Sequence, residues 1–350
     1  MSPRERAEVA MRGGRPDRVP VVPLIDTSYA AACLGVPVSQ CFLSPEVHAQ
    51  ALLSALEQHP GIDGLSINIG LTADVIVDLE EFEGGYTVTT IDGSVWGIPM
   101  NDIGTPTTRS VINLRDERLS SVDVLRPHIA ETLGFIPSSV LKNYDVSAGL
   151  TGPFSQVLFM MGIEPAMVAM QEEPEALKEA IEARMPFALR WAEELAVLGA
   201  PSVWIGEGYA STSLISPRQY EEFVLPYEQR VTAHLRRLGV PSVVHICGKT
   251  TRVLESIASS GADCFEVDWL VDLEEAKRRI GSRMSIKGNV HTTRLVQSSP
   301  EEIYAEGLRA IEKAGAGGGF LLSSGCALGR DTPPENVDAL VRAAEDFGGY

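Results

Sequence analysis

The feature that most constrains this chain is a rhythm. From residue 146 onward, short β-branched runs alternate with longer amphipathic stretches. Strands are expected at 146–150, 203–205, 243–246, 264–267, 284–286 and 320–322. Helices are expected from near 154, then at 174–198, 216–238, 251–260, 273–280, 300–314 and 334–347. The N-terminal part joins the same rhythm. VPVVPLI (19–25) and GLSINI (64–69) read as strands, and 45–58 reads as a helix capped by Ser44 with Pro45 in its first turn. Strands separated by helices cannot pair through hairpins, so they form a parallel sheet with helical crossovers. Roughly eight such units without a long linker favour a closed (β/α)8 TIM barrel over an open doubly wound sheet. We therefore expect one α/β domain spanning residues 1–350.

Two segments qualify that expectation. Between 74 and 120 the rhythm breaks, and YTVTTIDGSVWGI carries Asp92-Gly93 between alternating apolar positions. This predicts a β-hairpin excursion after strand two, turning through a type I′ turn. The glycines of GAGGG (315–319) fall between a helix and a strand, which suits a turn rather than a phosphate cradle. No G-x-G-x-x-G follows the first strand, which argues against a dinucleotide-binding fold. The stretch 121–143 reads as helical.

Composition narrows the function. The net charge of −18 repels phosphate backbones, so nucleic-acid partners are disfavoured. No apolar run reaches membrane-spanning length, and residues 1–20 lack the apolar centre of a secretory signal. The expectation is a cytoplasmic protein, monomeric or homodimeric. Five cysteines (Cys33, Cys41, Cys247, Cys264 and Cys326) in such a chain argue for free thiols rather than disulfides.

Functional groups of a parallel barrel gather at the C-terminal ends of its strands. One strand there ends in VVHICGKT, and the last in LLSSGCAL. His245 and Cys247 are two apart, so in an extended chain they point the same way. With Cys326 from the last strand they make a His-Cys-Cys set suited to zinc with one open position. Zinc lowers the pKa of a bound thiol, the activation a sulfur needs to attack a methyl group. Spacing alone leaves a plainer reading open, with His245 a hydrogen-bonded core residue and Cys247 a small buried one. Cys33, Cys41 and Cys264 read as packing residues. Acidic groups at other strand ends (Asp74, Glu207, Glu266 and Asp268) are candidate catalytic groups, ligands or partners of His245. Each could equally be a solvated rim charge.

Several segments together resemble the uroporphyrinogen decarboxylase superfamily along nearly the whole chain: RVPVVPLID, TADVIVDLEEFEG, GPFSQVLFMMG, ISPRQYEEFVLPY, DWLVDLEEA, KGNV and DTPPENVDALV. The resemblance implies the barrel and offers two chemistries. The decarboxylases carry an R-x-x-G-R-Y motif where this chain reads LIDTSYAAACLG. They have a tyrosine where it has Phe159, and a G-H-G histidine where it has Cys326. The corrinoid-linked methyltransferase branch is marked by H-x-C-G and a late G-C, matched here by His245-Ile246-Cys247-Gly248 and Gly325-Cys326. That branch implies zinc on His245, Cys247 and Cys326. It also implies methylcobalamin as co-substrate, carried on a separate corrinoid protein, and a small-molecule methyl acceptor or donor. The D-x-H-x-x-G cobalt-ligand signature is absent from this chain. Asp74 and Glu207 are then expected to position the acceptor or take a proton. Asp268 or Glu266 is expected as a displaceable fourth ligand. Lys249, Lys287 and Asn289, expected on loops of the active face, would hold an anionic tail. The rival expectations are a decarboxylase acting through Asp74 and a barrel that only binds a corrinoid protein or metal.

Overall fold

A computed structural model describes residues 1–111, 113–121 and 123–350. Strand β1 (Gly64–Ile67) is followed by an excursion of four strands: β2 (Ile76–Phe82), β3 (Gly85–Thr90), β4 (Val95–Pro99) and β5 (Thr105–Thr108). Then come β6 (Asp145–Thr151), β7 (Ser202–Gly206), β8 (Ser242–Ile246), β9 (Cys264–Val267), β10 (Ser285–Val290) and β11 (Phe320–Ser324). β1 and β6 to β11 pair in parallel, in chain order, as one curled sheet of seven strands. Helices cross over between them.

The run 19–25 lies between the two edges of that sheet. On one side Val22 N bonds to Leu322 O at 2.9 Å and Leu322 N to Pro20 O at 2.8 Å. On the other, Asp63 N bonds to Val21 O at 2.7 Å and Ser66 N to Ile25 O at 2.9 Å. Pro20 and Pro23 have no N–H to give, so the ladder is interrupted and only Val21 forms a regular bridge. The segment spans the gap all the same, because its remaining donors and acceptors reach both neighbours.

Side chains alternate across the sheet and build two apolar clusters. Leu65, Ile67, Val146, Ala148, Phe265, Val267, Phe320 and Leu322 face the helices. Val22, Val243, Cys264 and Leu321 face inward and meet Ala7, Ala10 and Met11 of the N-terminal helix Pro3–Met11. That helix closes the floor under the strands' N-terminal ends, and Ser285 Oγ bonds to its last carbonyls, Ala10 O and Met11 O, each at 2.8 Å.

Local chemistry sets the remaining boundaries. Ser44 caps the helix Pro45–Gln58 by accepting from Val47 N. The stretch 121–143 forms two helices, Arg126–Phe135 and Ser138–Asn143; its residue 122 lies outside the described residues. Ile136 is held extended by the following proline, which ends the first of them. Likewise 216–238 divides into Pro217–Phe223 and Leu225–Leu238 just before Pro226.

The excursion after β1 is a four-stranded antiparallel sheet in the order β2-β3-β4-β5. Its Asp92-Gly93 corner is not the expected type I′ turn, because among the described residues none other than glycine, and so not Asp92, has positive φ. Gly93 N bonds to Thr90 O at 2.8 Å, Thr90 N to Ser94 O at 2.9 Å, and Gly93 has φ 81°. This is a type I turn closed by a left-handed glycine, the usual three-residue hairpin. Asp92 stays in the ordinary region because its carboxylate accepts from Thr90 Oγ1, Ser94 N and Ser94 Oγ. Among the described residues no single helix is long and apolar enough to cross a membrane.

Candidate metal centre

β8 presents His245 inward, and the chain leaves the strand through Cys247. At Gly248 it turns with φ 90°, where a Cβ would press on Ser211 and Ser213. From β11, Gly325 lets the backbone pass against Trp269; a Cβ there would lie 2.5 Å from Trp269 N. The next residue, Cys326, reaches the same spot. One donor atom from each of His245, Cys247 and Cys326 lies within 4.8 Å of the others. His245 Nε2 is 3.2 Å from Cys247 Sγ and 3.9 Å from Cys326 Sγ. A tetrahedral ion with bonds of about 2.0 Å to nitrogen and about 2.3 Å to sulfur needs donors about 3.5–3.8 Å apart. The three side chains can therefore hold such an ion with little movement.

The far side of the imidazole is also fixed. Nδ1 lies 3.3 Å from Glu266 Oε2 and 3.2 Å from Glu266 O, which assigns its proton there and leaves Nε2 as the donor atom. Trp204 stacks on the ring at 5.4 Å and donates its indole N–H to Glu266 Oε2 at 2.6 Å. Lys287 Nζ is 2.7 Å from Glu266 Oε1. Glu266 is fully buried, yet its carboxyl stays below the usual range. Burial opposes this, but the Lys287 and His245 charges outweigh burial. Burial also works against charge on His245, and contact with Cys326 and Glu266 more than offsets it, raising the imidazole pKa. Cys247 is lowered, chiefly by its hydrogen bond with Cys326, whereas Cys326 is raised by that same bond and by burial. The pair thus favours one thiolate.

The other expected site residues are placed differently. Lys287 and Asn289 belong to β10 itself and not to loops, because that strand runs four residues beyond the expected 286. Lys287 is spent on Glu266, and Asn289 Nδ2 donates to Asp268 O and Val271 O. Asp268 accepts from Gly248 N and Leu270 N, each at 2.8 Å, so it ties the turn after Cys247 to the loop after β9. Glu207 is fully buried and accepts from Phe154 N and Ser155 N at the start of the helix Pro153–Met161; burial pushes its pKa up to about 7. Asp74 is exposed in a short 3-10 turn (Ala73–Val75), with Thr72 Oγ1 bonded to its carboxylate. Lys249 is exposed at the rim. The sequence reading missed Trp204 and did not see Lys287 as the partner of Glu266. The period-two pattern of β7 to β10 places both on the inner face and could have shown them.

The model of the family described as uroporphyrinogen decarboxylase (URO-D) matches residues 2–347. The chain belongs to the uroporphyrinogen decarboxylase family. Its relatives within that family include the methylated-thiol–coenzyme M methyltransferase of Methanosarcina mazei, 28% identical over 99% of this chain and 90% of that protein. Another is the methylcobamide:CoM methyltransferase MtaA of Methanosarcina barkeri, 23% identical over 98% of this chain and 97% of that protein. The uroporphyrinogen decarboxylase of Carboxydothermus hydrogenoformans is 26% identical over 79% of this chain and 77% of its own length. The solved structure of a methyltransferase from Methanosarcina mazei shares the fold, with a TM-score of 0.81 at 22% identity and 99% of each chain covered. The family therefore holds relatives of both names at similar distance, and the side chains at the sheet's rim have to distinguish them.

Proposed function

We propose that this protein is a zinc-dependent methyltransferase, built as a (β/α)8 barrel, that moves a methyl group between a corrinoid and a thiol or other small substrate. The observation that carries the reading is the donor set: one imidazole nitrogen and two sulfurs meet at the rim, with a buried carboxylate behind the imidazole. Cys326 stands in the segment where the decarboxylases have histidine. The relatives named as corrinoid methyltransferases, aligned over almost the whole chain, support the same reading.

Bound to His245, Cys247 and Cys326, zinc would supply a Lewis acid that keeps a fourth, sulfur-bearing ligand deprotonated near neutral pH. The net exchange is balanced. With methylcobalamin as co-substrate, the methyl group would be transferred without the Co–C electron pair, which the corrinoid would retain. A new S–C bond forms, and the thiol proton passes to solvent. The chain's own residues prepare the geometry. Glu266 accepts a hydrogen bond from the Nδ1–H of His245, which fixes the ring and makes Nε2 a better donor. Asp268 holds the Gly248 turn, and Glu207 pins the helix beside the rim. Neither carboxylate takes part as a ligand in this arrangement. Asp74, exposed near the excursion, remains the group that could take a proton. Of the residues assigned to an anionic tail, only Lys249 keeps the role, toward an anionic group of the corrinoid, since it has no ion pair among the described residues. The corrinoid would arrive on a separate protein.

The test is direct. Zinc-loaded protein mixed with methylcobalamin and a panel of small thiols should discharge methylcobalamin and yield thioether. A Cys247→Ala/Cys326→Ala double variant should bind no zinc and lose this turnover. Decarboxylation of uroporphyrinogen by metal-free protein would overturn the reading. Measurable methyl loss from cobalt excludes a barrel that only binds.

A further inference from the structure

Asp26 ends the run 19–25, which pairs in parallel with β11 through Val21 and Leu322, so it stands at the end of the sheet to which β11 carries Cys326. Its neighbour Ile25 packs outward into the main core, and Val22, four residues back, lines the inner floor. Backbone bonds tie this run to the loop of Cys326: Leu24 N donates to Ser324 Oγ and Leu328 N to Leu24 O, each at 3.0 Å. Asp26 is fully buried, and both its partners are neutral. Asn68 Nδ2 donates to one oxygen at 3.2 Å and Ser28 N to the other at 3.1 Å. Among the described residues no cationic side chain pairs with it. Capping the helix Thr27–Leu34 does not require this charge, because Asn, Ser or Thr would cap as well. A buried carboxylate without a counter-cation is costly, which is reflected in a pKa pushed up to about 6 by burial.

The strands on either side of Asp26 repeat the theme. Ser66 of β1, Ser147 of β6 and Ser323 of β11 are buried, face inward opposite the apolar residues that flank them, and have hydroxyls without a hydrogen-bond partner. The inner cation Lys287 is already paired with Glu266. This wall therefore offers a carboxylate and hydroxyls, and among the described residues no cationic side chain is ion-paired with that carboxylate.

We propose that Asp26, backed by Asn68, selects a small methyl-transfer substrate carrying a cationic group, an ammonium, in place of an anionic one. The inference rests on the methyltransferase reading and names the substrate class for the same site. Cysteamine, 2-mercaptoethanol and 2-mercaptoethanesulfonate present one thiol on similar two-carbon chains ending in positive, neutral or negative groups. Their binding to zinc-loaded protein is measured by calorimetry, and their methylation by methylcobalamin as kcat/KM. Cysteamine should exceed 2-mercaptoethanesulfonate by at least about tenfold in both, the scale of one charge-assisted contact in a dry site. Asp26→Asn keeps the helix cap and should erase the difference through KM for cysteamine. Ser147→Ala, which leaves the charge in place, should retain the cationic preference. Equal binding of the three thiols, or tighter binding of the sulfonate, overturns the proposal. The latter result would point instead to a cationic side chain as the selecting group. Selective binding without any methylation would retire the methyltransferase reading and leave the cation preference standing.

Discussion

The floor and the rim of the sheet's interior are built from the same strands yet do opposite things with cysteine. Cys264 starts β9 on the floor, among Val22, Val243, Leu321 and the N-terminal helix, and burial pushes its thiol pKa well above the ordinary value. Two residues further along β9 is Glu266, which orients His245, and across from it lie Cys247 and Cys326. Two residues along a strand cover about 6.5 Å. Within that distance the environment changes from dry apolar packing to a charged, hydrogen-bonded cluster. A cysteine is reactive because of its neighbours, and here the neighbours differ by one step of the pleat.

The largest effect expected from that contrast is on metal content. Cys326→Ser should bring bound zinc from near one equivalent to near none by elemental analysis. Cys264→Ser should leave zinc unchanged and instead cost about 1–3 kcal/mol in chemical denaturation, since a hydroxyl would be buried among apolar side chains. Retention of zinc by Cys326→Ser would break the contrast between rim and floor.

A smaller effect should follow from the carboxylate behind the histidine. Glu266→Gln keeps the shape but removes the charge that faces Nδ1 and Lys287. Zinc affinity, measured against a competing chelator, should fall by about 10- to 100-fold, the usual weight of such a partner. An unchanged affinity would mean that Trp204 stacking and the Glu266 carbonyl suffice to hold the ring.

The smallest effect lies outside the interior altogether. Glu207 and Glu228 are both buried behind the rim, with pKa values pushed up by burial to about 7 and about 8; Tyr220 donates to Glu228 Oε2 at 2.5 Å. Folded values above the unfolded ones mean that the protonated forms favour folding. Their contribution is complete below about pH 4.5 and is lost as the pH rises through 7 to 8. The Tm should therefore decline by a few degrees between pH 6 and 9. Glu228→Gln, which cannot ionise, should flatten that decline. A decline as steep in the variant as in the parent would assign it to other groups.

Much of this was legible in the chain itself. The helices Pro45–Gln58 and Pro300–Ala314 begin and end where their caps, prolines and apolar periodicity say they should. The strand Cys264–Val267 and the helix Leu273–Ile280 also fall at their expected bounds. The three donor residues were visible because H-x-C repeats the strand's period of two and Cys326 follows the last strand. Strand ends were less legible. Lys287 and Asn289 looked like loop residues because a polar run in sequence resembles a loop, whereas the inside of this sheet is itself polar and accommodates them.

What the sequence by itself determined was the alternation of strands and helices, and with it the expectation that His245, Cys247 and Cys326 lie at strand ends on one rim. Those follow from periodicities of two and 3.6, which are local properties of the backbone. Only the tertiary structure decided which carboxylates serve the site. Glu207, Glu266 and Asp268 are equally acidic and equally near strand ends in the sequence. Glu266 alone turns inward between a lysine and the imidazole, Asp268 is taken by backbone N–H groups, and Glu207 is taken by a helix terminus. The reason is electrostatic: a buried carboxylate must find its donors or counter-charges in space, and for each of these three at least one partner comes from a segment 20 to 60 residues away.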